Sequence, residues 1–272
     1  MYKQIIHLNS MSFENFRNEV KYYSTLDGTK LAFFDFNSGN LTDTPIILMH
    51  GGLGNASEMI EIASFISNYG VRIIIPEYRG HGSSCLGKMM LTYDLYCLDI
   101  TDLLNTLKIN EFCTAGFSDG AITALKLAAL LPNRVKGVIS IAPDRNPADM
   151  KNIQNLKFEF DSLKNDPVYF AEYLACSPEP GKYEEYLDLV YHLWTSASHI
   201  ENEELAKIKS KCLIVGSDSD EYIKTESFYQ MAEQIGNCEL KIYEGKLHGE
   251  LTNLLMNLSA NKRNFLVDFL IV

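Results

Sequence analysis

Short apolar runs alternate with longer amphipathic stretches along most of this chain. The runs are apolar at successive positions, which is typical of parallel strands that are buried on both faces of a sheet. Six strands are predicted in this way, at residues 45–49, 71–75, 111–116, 135–142, 212–216 and 239–243. Between them, apolar residues recur at helical spacing and predict helices at residues 55–70, 92–107, 119–131 and 225–235. This order of strands and helices predicts an α/β fold, with a mostly parallel central sheet flanked by helices.

Two local signals refine the pattern in the first part of the chain. Residues 21–39 predict a β-hairpin, because Asp27 and Gly28 suit the positive backbone angles of a tight turn between two β-rich segments. Asn55 is followed three residues later by Glu58, a spacing that resembles a capping box at the start of the first predicted helix.

Residues 145–208 interrupt the alternation, because they separate two predicted strands that elsewhere lie within one helix of each other. This segment, called the insertion below, is acidic and rich in aromatic residues. It is interpreted either as a helical subdomain that buries its own aromatic side chains or as a cap over a pocket, and the two interpretations are compatible. The predicted organisation is a core formed by residues 1–144 and 209–272, with a helical cap or lid at 145–208.

Composition excludes several classes of function. The chain carries 24 Lys and Arg against 35 Asp and Glu, and its net charge of −11 repels nucleic acid and anionic lipid. Its six cysteines form no CxxC pair, so neither a zinc site nor a disulfide framework is predicted. The first residues lack the features of an export signal, and no apolar run approaches the roughly 20 residues that span a bilayer. A cytoplasmic protein without membrane or nucleic-acid partners is therefore expected.

The strongest chemical signal is a GxSxG pentapeptide, Gly116-Phe117-Ser118-Asp119-Gly120, between a predicted strand and a predicted helix. A serine at the apex of such a turn adopts a strained backbone conformation, and the flanking glycines remove side chains that would collide with neighbouring elements. The following helix directs its N-terminal amides toward any oxyanion formed there. Ser118 is therefore the candidate nucleophile.

A serine hydroxyl needs a base that removes its proton and an acid that orients the base. His248 follows the last predicted strand and is the candidate base, whereas the other histidines are interpreted as loop, packing or surface residues. Asp220 follows the strand at 212–216 and is the candidate acid. Asp218 and Asp144 remain open as alternative acids, because both also follow predicted strands. No metal cluster is predicted.

These motifs occur in a recognisable order. His50-Gly51-Gly52-Leu53-Gly54 follows a predicted strand, Glu77-Tyr78-Arg79-Gly80-His81-Gly82-Ser83-Ser84 follows the next, and Ser118, Asp220 and His248 come later. In this order the sequence resembles the α/β-hydrolase superfamily, as a cap-bearing serine hydrolase with an SDG-type elbow.

The resemblance implies further roles for individual residues. The oxyanion hole would use the backbone N–H of Gly52 or Leu53 together with that of Asp119, and no cofactor would be required. Glu77 stands where the family usually has Asp. Ser219 stands where the family's acid is commonly spaced, which leaves Asp218 and Asp220 open.

The predicted function is that of a serine hydrolase, resembling carboxylic ester hydrolases, that cleaves a small ester, thioester or amide through an acyl-enzyme. Its expected partner is a small-molecule acyl substrate. Asp119 and the acidic insertion raise the further hypothesis of an amine-bearing substrate. The alternatives are a small-ligand sensor on the same fold, an acyltransferase and a carbon–carbon bond hydrolase.

Overall fold

The computed structural model of this protein describes residues 19–39, 44–196, 199–252 and 269. The first eighteen residues, where no export signal is predicted, and most of the chain after residue 252 lie outside this part. Within it, eight strands form one sheet in the order β1-β2-β4-β3-β5-β6-β7-β8. The strands are β1 (Lys21–Ser24), β2 (Lys30–Phe36), β3 (Ile46–Met49), β4 (Ile73–Pro76), β5 (Phe112–Phe117), β6 (Val135–Ile141), β7 (Lys211–Ser217) and β8 (Cys238–Tyr243).

The direction of the strands confirms the predicted mostly parallel sheet. The β1–β2 and β2–β4 pairs are antiparallel, and all pairs from β4 to β8 are parallel. The eight helices described are α1 (Ser57–Ser67), α2 (Tyr93–Thr106), α3 (Asp119–Leu130), α4 (Ile153–Lys164), α5 (Pro167–Cys176), α6 (Tyr183–Thr195), α7 (Asn202–Leu205) and α8 (Thr225–Gln234). None of these helices is long and apolar enough to span a membrane.

Two hydrophobic clusters cover the two faces of the sheet. Successive side chains of a strand point to opposite faces, so that in β3 Ile47 and Met49 join one cluster while Ile46 and Leu48 join the other. The first cluster includes side chains of α2, α3, α6 and α8, and the second includes side chains of α1. Burial on both faces explains why the strands are continuously apolar in the sequence.

The start of α1 differs from the predicted capping box. The helix begins at Ser57, whose N–H donates to the side chain of Asn55 at 2.9 Å, and the N-cap residue Ala56 offers no side-chain oxygen. The side chain of Glu58 does not accept the backbone N–H of Asn55, as a capping box would require. Its carboxylate accepts the N–H of Gly51 at 3.1 Å, because Gly54 has no Cβ to obstruct it: one there would lie 2.0 Å from Glu58 Oε1.

The turn that follows β4 fastens the sheet to its surroundings through buried charges. Glu77 accepts the N–H groups of Ala56 and Ser83 at 3.2 and 2.7 Å, so its carboxylate joins this turn to the start of α1. Arg79 is buried and pairs with Asp27 of the β1–β2 turn and Asp99 of α2, each at 2.7 Å. The turn therefore holds the hairpin against α2.

The insertion contains α4, α5, α6 and α7. Its helix α6 buries Tyr186, Leu187 and Val190 in the same cluster as the side chains of β3 and α2. The chain returns from the insertion beside its starting point, since the carbonyl of Arg145 accepts the N–H groups of both His199 and Ile200. The insertion thus shares the core of the sheet domain.

We expect Arg79→Leu to lower the free energy of unfolding by about 3–5 kcal/mol, because it leaves Asp99 buried without its cationic partner. Urea denaturation followed by circular dichroism measures this loss. Lys136→Ala is the control, since it breaks an exposed pair with Glu111 and should cost less than about 1 kcal/mol. Equal losses in the two variants would contradict the role of Arg79.

Candidate active site

Ser118 lies alone between β5 and α3 and has a strained backbone. Its φ is 53° and its ψ is −118°, in a region that side-chain-bearing residues rarely adopt. Three hydrogen bonds hold it there: its N–H donates to Ile141 of β6 at 2.8 Å, and its carbonyl accepts from Ala121 and Ile122 at 2.8 and 3.1 Å. The turn therefore presents the hydroxyl at the carboxyl edge of the sheet.

The two glycines of the motif allow this turn to form. A Cβ at Gly116 would lie 2.2 Å from the carbonyl oxygen of Gly120, and a Cβ at Gly120 would lie 2.4 Å from that of Met49. Met49 also pairs with Gly116 across β3 and β5, so the loop after β3 leaves the sheet beside Ser118. Neither glycine position has room for a side chain.

Ser118, His248 and Asp220 form a continuous chain of hydrogen bonds. The Oγ of Ser118 is 3.1 Å from Nε2 of His248, and Nδ1 of His248 is 2.7 Å from Oδ2 of Asp220. The sheet explains this convergence, because the pairing of Ser217 with Tyr243 places the loops after β7 and β8 side by side. The structure thus brings together Ser118, His248 and Asp220, the three residues that the sequence analysis prefers as nucleophile, base and acid.

Hydrogen bonds fix both the acid and the base. The second oxygen of Asp220, Oδ1, accepts the N–H groups of Tyr222 and Ile223 at 2.8 and 2.9 Å. The backbone N–H of His248 donates to Glu221 at 2.8 Å. Glu221 was missed by the sequence reasoning, although its position beside Asp220 was a signal.

The pKa values of this pair move in opposite directions. Burial alone would raise the pKa of Asp220, but His248 and the two amides outweigh burial and lower it below its ordinary value. Burial alone would lower the pKa of His248, but Asp220, with smaller contributions from Glu221 and Asp144, raises it. The carboxylate therefore stays ionised, and an imidazolium beside it is stabilised.

The two alternative acids have other partners. Asp218 accepts the N–H of Gly245 at 2.8 Å and the hydroxyl of Ser219 at 2.8 Å. Asp144 lies 2.8 Å from Nδ1 of His199. The structure brings neither of them into hydrogen-bond contact with His248, so the geometry favours Asp220 among the three.

The loop after β3 lies over the elbow. A Cβ on Gly51 would be 3.6 Å from Cβ of Ser118, and one on Gly52 would be 2.5 Å from the Asp119 carboxylate. Leu53 has a positive φ of 61°. Within the described ranges, the backbone N–H groups of Gly52, Leu53 and Asp119 have no hydrogen-bond partner. The predicted oxyanion donors are therefore free to bind a ligand.

Asp119 also has a structural role that the sequence did not indicate. Its carboxylate accepts the hydroxyl of Tyr93 at 2.9 Å and the indole N–H of Trp194 at 3.0 Å, which joins the elbow to α2 and to α6 of the insertion. Burial raises the pKa of Asp119 to about 6, against the lowering effect of these two hydrogen bonds. Both oxygens are engaged, which weakens the hypothesis that they recognise an amine.

Ser118 and His248 line a small pocket that opens to solvent. Its empty volume is about 370 Å³, including the space at its mouth. Besides Ser118, Asp119 and His248, it is lined by Tyr93, Asp144, Met150, Trp194, His199, Tyr222 and Ile223. The interpretation of His199 as a packing or surface residue is therefore incomplete. It is buried, but it also borders the pocket. Within the described ranges, no group of three or more acidic, histidine or cysteine side chains is arranged to hold a metal ion.

Comparison with known sequences agrees with the fold described above. A family model of the alpha/beta hydrolase fold matches residues 44–174. The sn-1-specific diacylglycerol lipase ABHD11 of Danio rerio is 32% identical over 118 residues, which span 42% of this chain and 37% of that protein. The non-heme chloroperoxidase CPO-A1 of Kitasatospora aureofaciens is 24% identical over 265 residues, covering 83% of this chain and 91% of that protein.

Solved structures share the fold. The meta-cleavage product hydrolase of Pseudomonas fluorescens has a TM-score of 0.69 at 17% identity, covering 89% of this chain and 95% of that one. The carboxylesterase CesB of Bacillus subtilis has a TM-score of 0.69 at 16% identity, covering 93% of this chain and 91% of that one. At these identities the likeness concerns the fold alone.

We expect Gly120→Ala to lower the free energy of unfolding by about 2–3 kcal/mol, because the added methyl group would collide with the carbonyl oxygens of Met49 and His50 at the end of β3. Chemical denaturation measures the loss. Gly181→Ala is the matched control, since its Cβ would meet nothing within 4 Å, and it should change the value by less than about 0.5 kcal/mol. An unchanged midpoint for Gly120→Ala would mean that β3 and α3 are farther apart than described.

Proposed function

This chain belongs to the α/β-hydrolase superfamily, and from that premise we propose that it is a serine hydrolase that cleaves a small carboxylic ester, thioester or amide through an acyl-enzyme. The observation that carries the proposal is the hydrogen-bonded chain from Ser118 through His248 to Asp220. Its two distances suit proton transfer from a hydroxyl to an oriented base. Its order matches that of a nucleophile, a general base and an orienting acid.

In the first half of the reaction, Oγ of Ser118 attacks the carbonyl carbon while Nε2 of His248 takes the hydroxyl proton. The resulting oxyanion would be bound by the N–H of Asp119 and that of Gly52 or Leu53, the free amides beside the elbow. One such donor typically contributes about 3–4 kcal/mol to transition-state stabilisation. Asp220 holds Nδ1 of His248 protonated, which leaves Nε2 available as the base.

In the second half, the imidazolium gives its proton to the leaving group as the carbon–heteroatom bond breaks, leaving an acyl group on Ser118. A water molecule then attacks the acyl carbon while His248 takes a proton from it. As the bond between the acyl carbon and Oγ of Ser118 breaks, His248 returns that proton to Oγ and the carboxylic acid is released. Every proton transfer uses the same nitrogen. The side chains of this chain thus supply the whole proton path.

The pocket and the comparisons both bear on the proposed substrate class. Trp194 and His199 of the insertion line the same small pocket as Ser118, which supports a role for the insertion as a cap over a small acyl substrate. Esters are the favoured class, because a diacylglycerol lipase is among the relatives and a carboxylesterase among the structural neighbours. A sensor built on the same site would bind such a ligand without repeated turnover.

We expect Ser118→Ala to lower kcat by roughly a thousandfold or more and to abolish labelling by a fluorophosphonate, because the attacking oxygen is lost. Hydrolysis of short-chain p-nitrophenyl esters and mass spectrometry of the labelled protein provide the two measurements. Ser64→Ala, at an exposed position of α1, is the control and should retain both properties. Wild-type protein that binds esters but neither turns them over nor becomes labelled would indicate a sensor instead.

We expect kcat/KM to fall at acid pH with a midpoint above about 6.5, because the base must be neutral and Asp220 raises the pKa of His248. Asp220→Asn should lower this midpoint, since burial then dominates, and should reduce kcat by roughly ten-thousandfold. Rates measured between about pH 5 and about pH 9 test both statements. An unshifted midpoint in Asp220→Asn would contradict the pairing.

A further inference from the structure

Glu58 is a carboxylate that the proposed reaction does not use. It lies in the first turn of α1, and its Oε2 accepts the backbone N–H of Gly51 at 3.1 Å. Carboxylates usually lie in solvent, whereas this side chain is partly buried. Its contact joins the start of α1 to the loop after β3, which lies over the elbow beside Ser118.

The loop after β3 has little conformational preference of its own. Three of its four residues, 51–54, are glycines, which adopt many backbone conformations with similar ease. The fourth, Leu53, has a positive φ of 61°, which is unfavourable for a residue with a side chain. Contacts with other parts of the chain must therefore hold the conformation of this loop.

Hydrogen bonds fasten the loop at both ends and leave its middle free. The N–H of Gly51 donates to Glu58, and the N–H of Gly54 donates to the carbonyl of Gly51 at 3.4 Å. The N–H groups of Gly52 and Leu53 have no hydrogen-bond partner among the described residues. The two predicted oxyanion donors of the loop thus lie between two engaged N–H groups.

The Glu58 carboxylate fills the space that a side chain at position 54 would need. A Cβ on Gly54 would lie 2.0 Å from Oε1, 2.4 Å from Cδ and 2.6 Å from Oε2 of Glu58. Oε2 is also the atom that accepts the N–H of Gly51. The glycine at one end of the loop therefore makes room for the acceptor that holds the other end.

We propose that Glu58 is a positioning residue whose carboxylate, by accepting the N–H of Gly51, holds the loop after β3 in the conformation that leaves its next two N–H groups free for the oxyanion. The inference rests on the proposed hydrolase function and adds a residue to it. An oxyanion forms only on the way through the transition states. Loss of the contact should therefore lower kcat more than it raises KM.

This role requires a hydrogen-bond acceptor rather than a charge. Burial raises the pKa of Glu58 to about 7 against the lowering effect of the Gly51 N–H, and Asp119 adds a smaller rise. A protonated carboxyl group still accepts through its carbonyl oxygen, and so does a glutamine amide. Glutamine at position 58 should therefore preserve the contact, whereas alanine removes it.

Kinetics of two substitutions at position 58, with a control on the same helix, test the inference. With a short-chain p-nitrophenyl ester, we expect Glu58→Ala to lower kcat by about thirtyfold while KM changes by less than about threefold. Glu58→Gln should recover most of the lost kcat. Glu61→Ala, at an exposed position of α1, is the control and should match wild type. An unchanged kcat in Glu58→Ala, or a Glu58→Gln variant as slow as Glu58→Ala, would overturn the inference.

A trifluoromethyl ketone with a short alkyl chain measures the oxyanion site directly. Oγ of Ser118 adds to its carbonyl carbon, His248 takes the hydroxyl proton, and the ketone oxygen becomes the oxyanion of a hemiketal. We expect the inhibition constant to rise in Glu58→Ala by about the same factor as kcat/KM falls. An unchanged inhibition constant would overturn the inference, since a variant that is merely less stable binds the ketone normally once folded.

Gly54→Ala tests the same contact from the opposite side. Its Cβ must displace the Glu58 carboxylate, so we expect this variant to lose about as much kcat as Glu58→Ala. Glu58→Ala vacates the space, so the double variant should be no slower than either single variant. Losses that multiply in the double variant would overturn the inference, because the two positions would then act independently.

Fluorophosphonate labelling separates this inference from the function on which it rests. If wild type hydrolyses the ester and becomes labelled, but Glu58→Ala keeps its kcat, only the role of Glu58 fails. If wild type is neither labelled nor active, the proposed hydrolase function fails and the inference with it. Should Glu58→Ala not fold, Gly54→Ala still decides the outcome, because a full kcat in that variant would overturn the inference.

Discussion

The backbone of Ser118 is the constraint on which the rest of this site depends. A left-handed conformation at a residue with a side chain is unfavourable by roughly 1–3 kcal/mol, so its surroundings must hold it. Here β6 accepts its N–H, α3 donates to its carbonyl, and the absence of side chains at Gly116 and Gly120 lets β3 and α3 close around it. Because these contacts come from regular elements, the position of the hydroxyl is set by the sheet. The loops of Asp220 and His248 then need only reach a fixed point.

The insertion contributes to the site through polar contacts as well as apolar burial. Trp194 donates to the carboxylate of Asp119, and the hydroxyl of Tyr169 donates to the carbonyl of Leu53 at 2.8 Å. These contacts touch the two segments that carry the free amides beside Ser118. A displacement of α5 would therefore break the hydrogen bond to the loop after β3, and a displacement of α6 would break the one to the elbow. The position of the insertion and the order of the segments beside Ser118 are physically coupled.

The histidines of two aspartate–histidine pairs of similar geometry line one pocket, and their other neighbours distinguish them. Nε2 of His248 lies 3.1 Å from the hydroxyl of Ser118, whereas His199 is buried and interacts with the backbone of Trp194. A carboxylate on Nδ1 makes either ring a better base and stabilises either imidazolium. What each ring does is decided by the group opposite Nε2. The same chemical unit thus occurs beside a hydroxyl in one place and without one in the other.

The sequence by itself determined the class of the fold and identified Ser118 as the candidate nucleophile. Strands buried on both faces must be continuously apolar, and a strained elbow requires glycines around Ser118, so both features are visible as local patterns. Only the tertiary structure distinguished Asp220 from Asp218, because side chains two residues apart in a loop point in directions that spacing does not specify. The pairing of Asp144 with His199 was equally hidden. The two residues are 55 positions apart, and only the return of the insertion to the edge of β6 brings their side chains into contact.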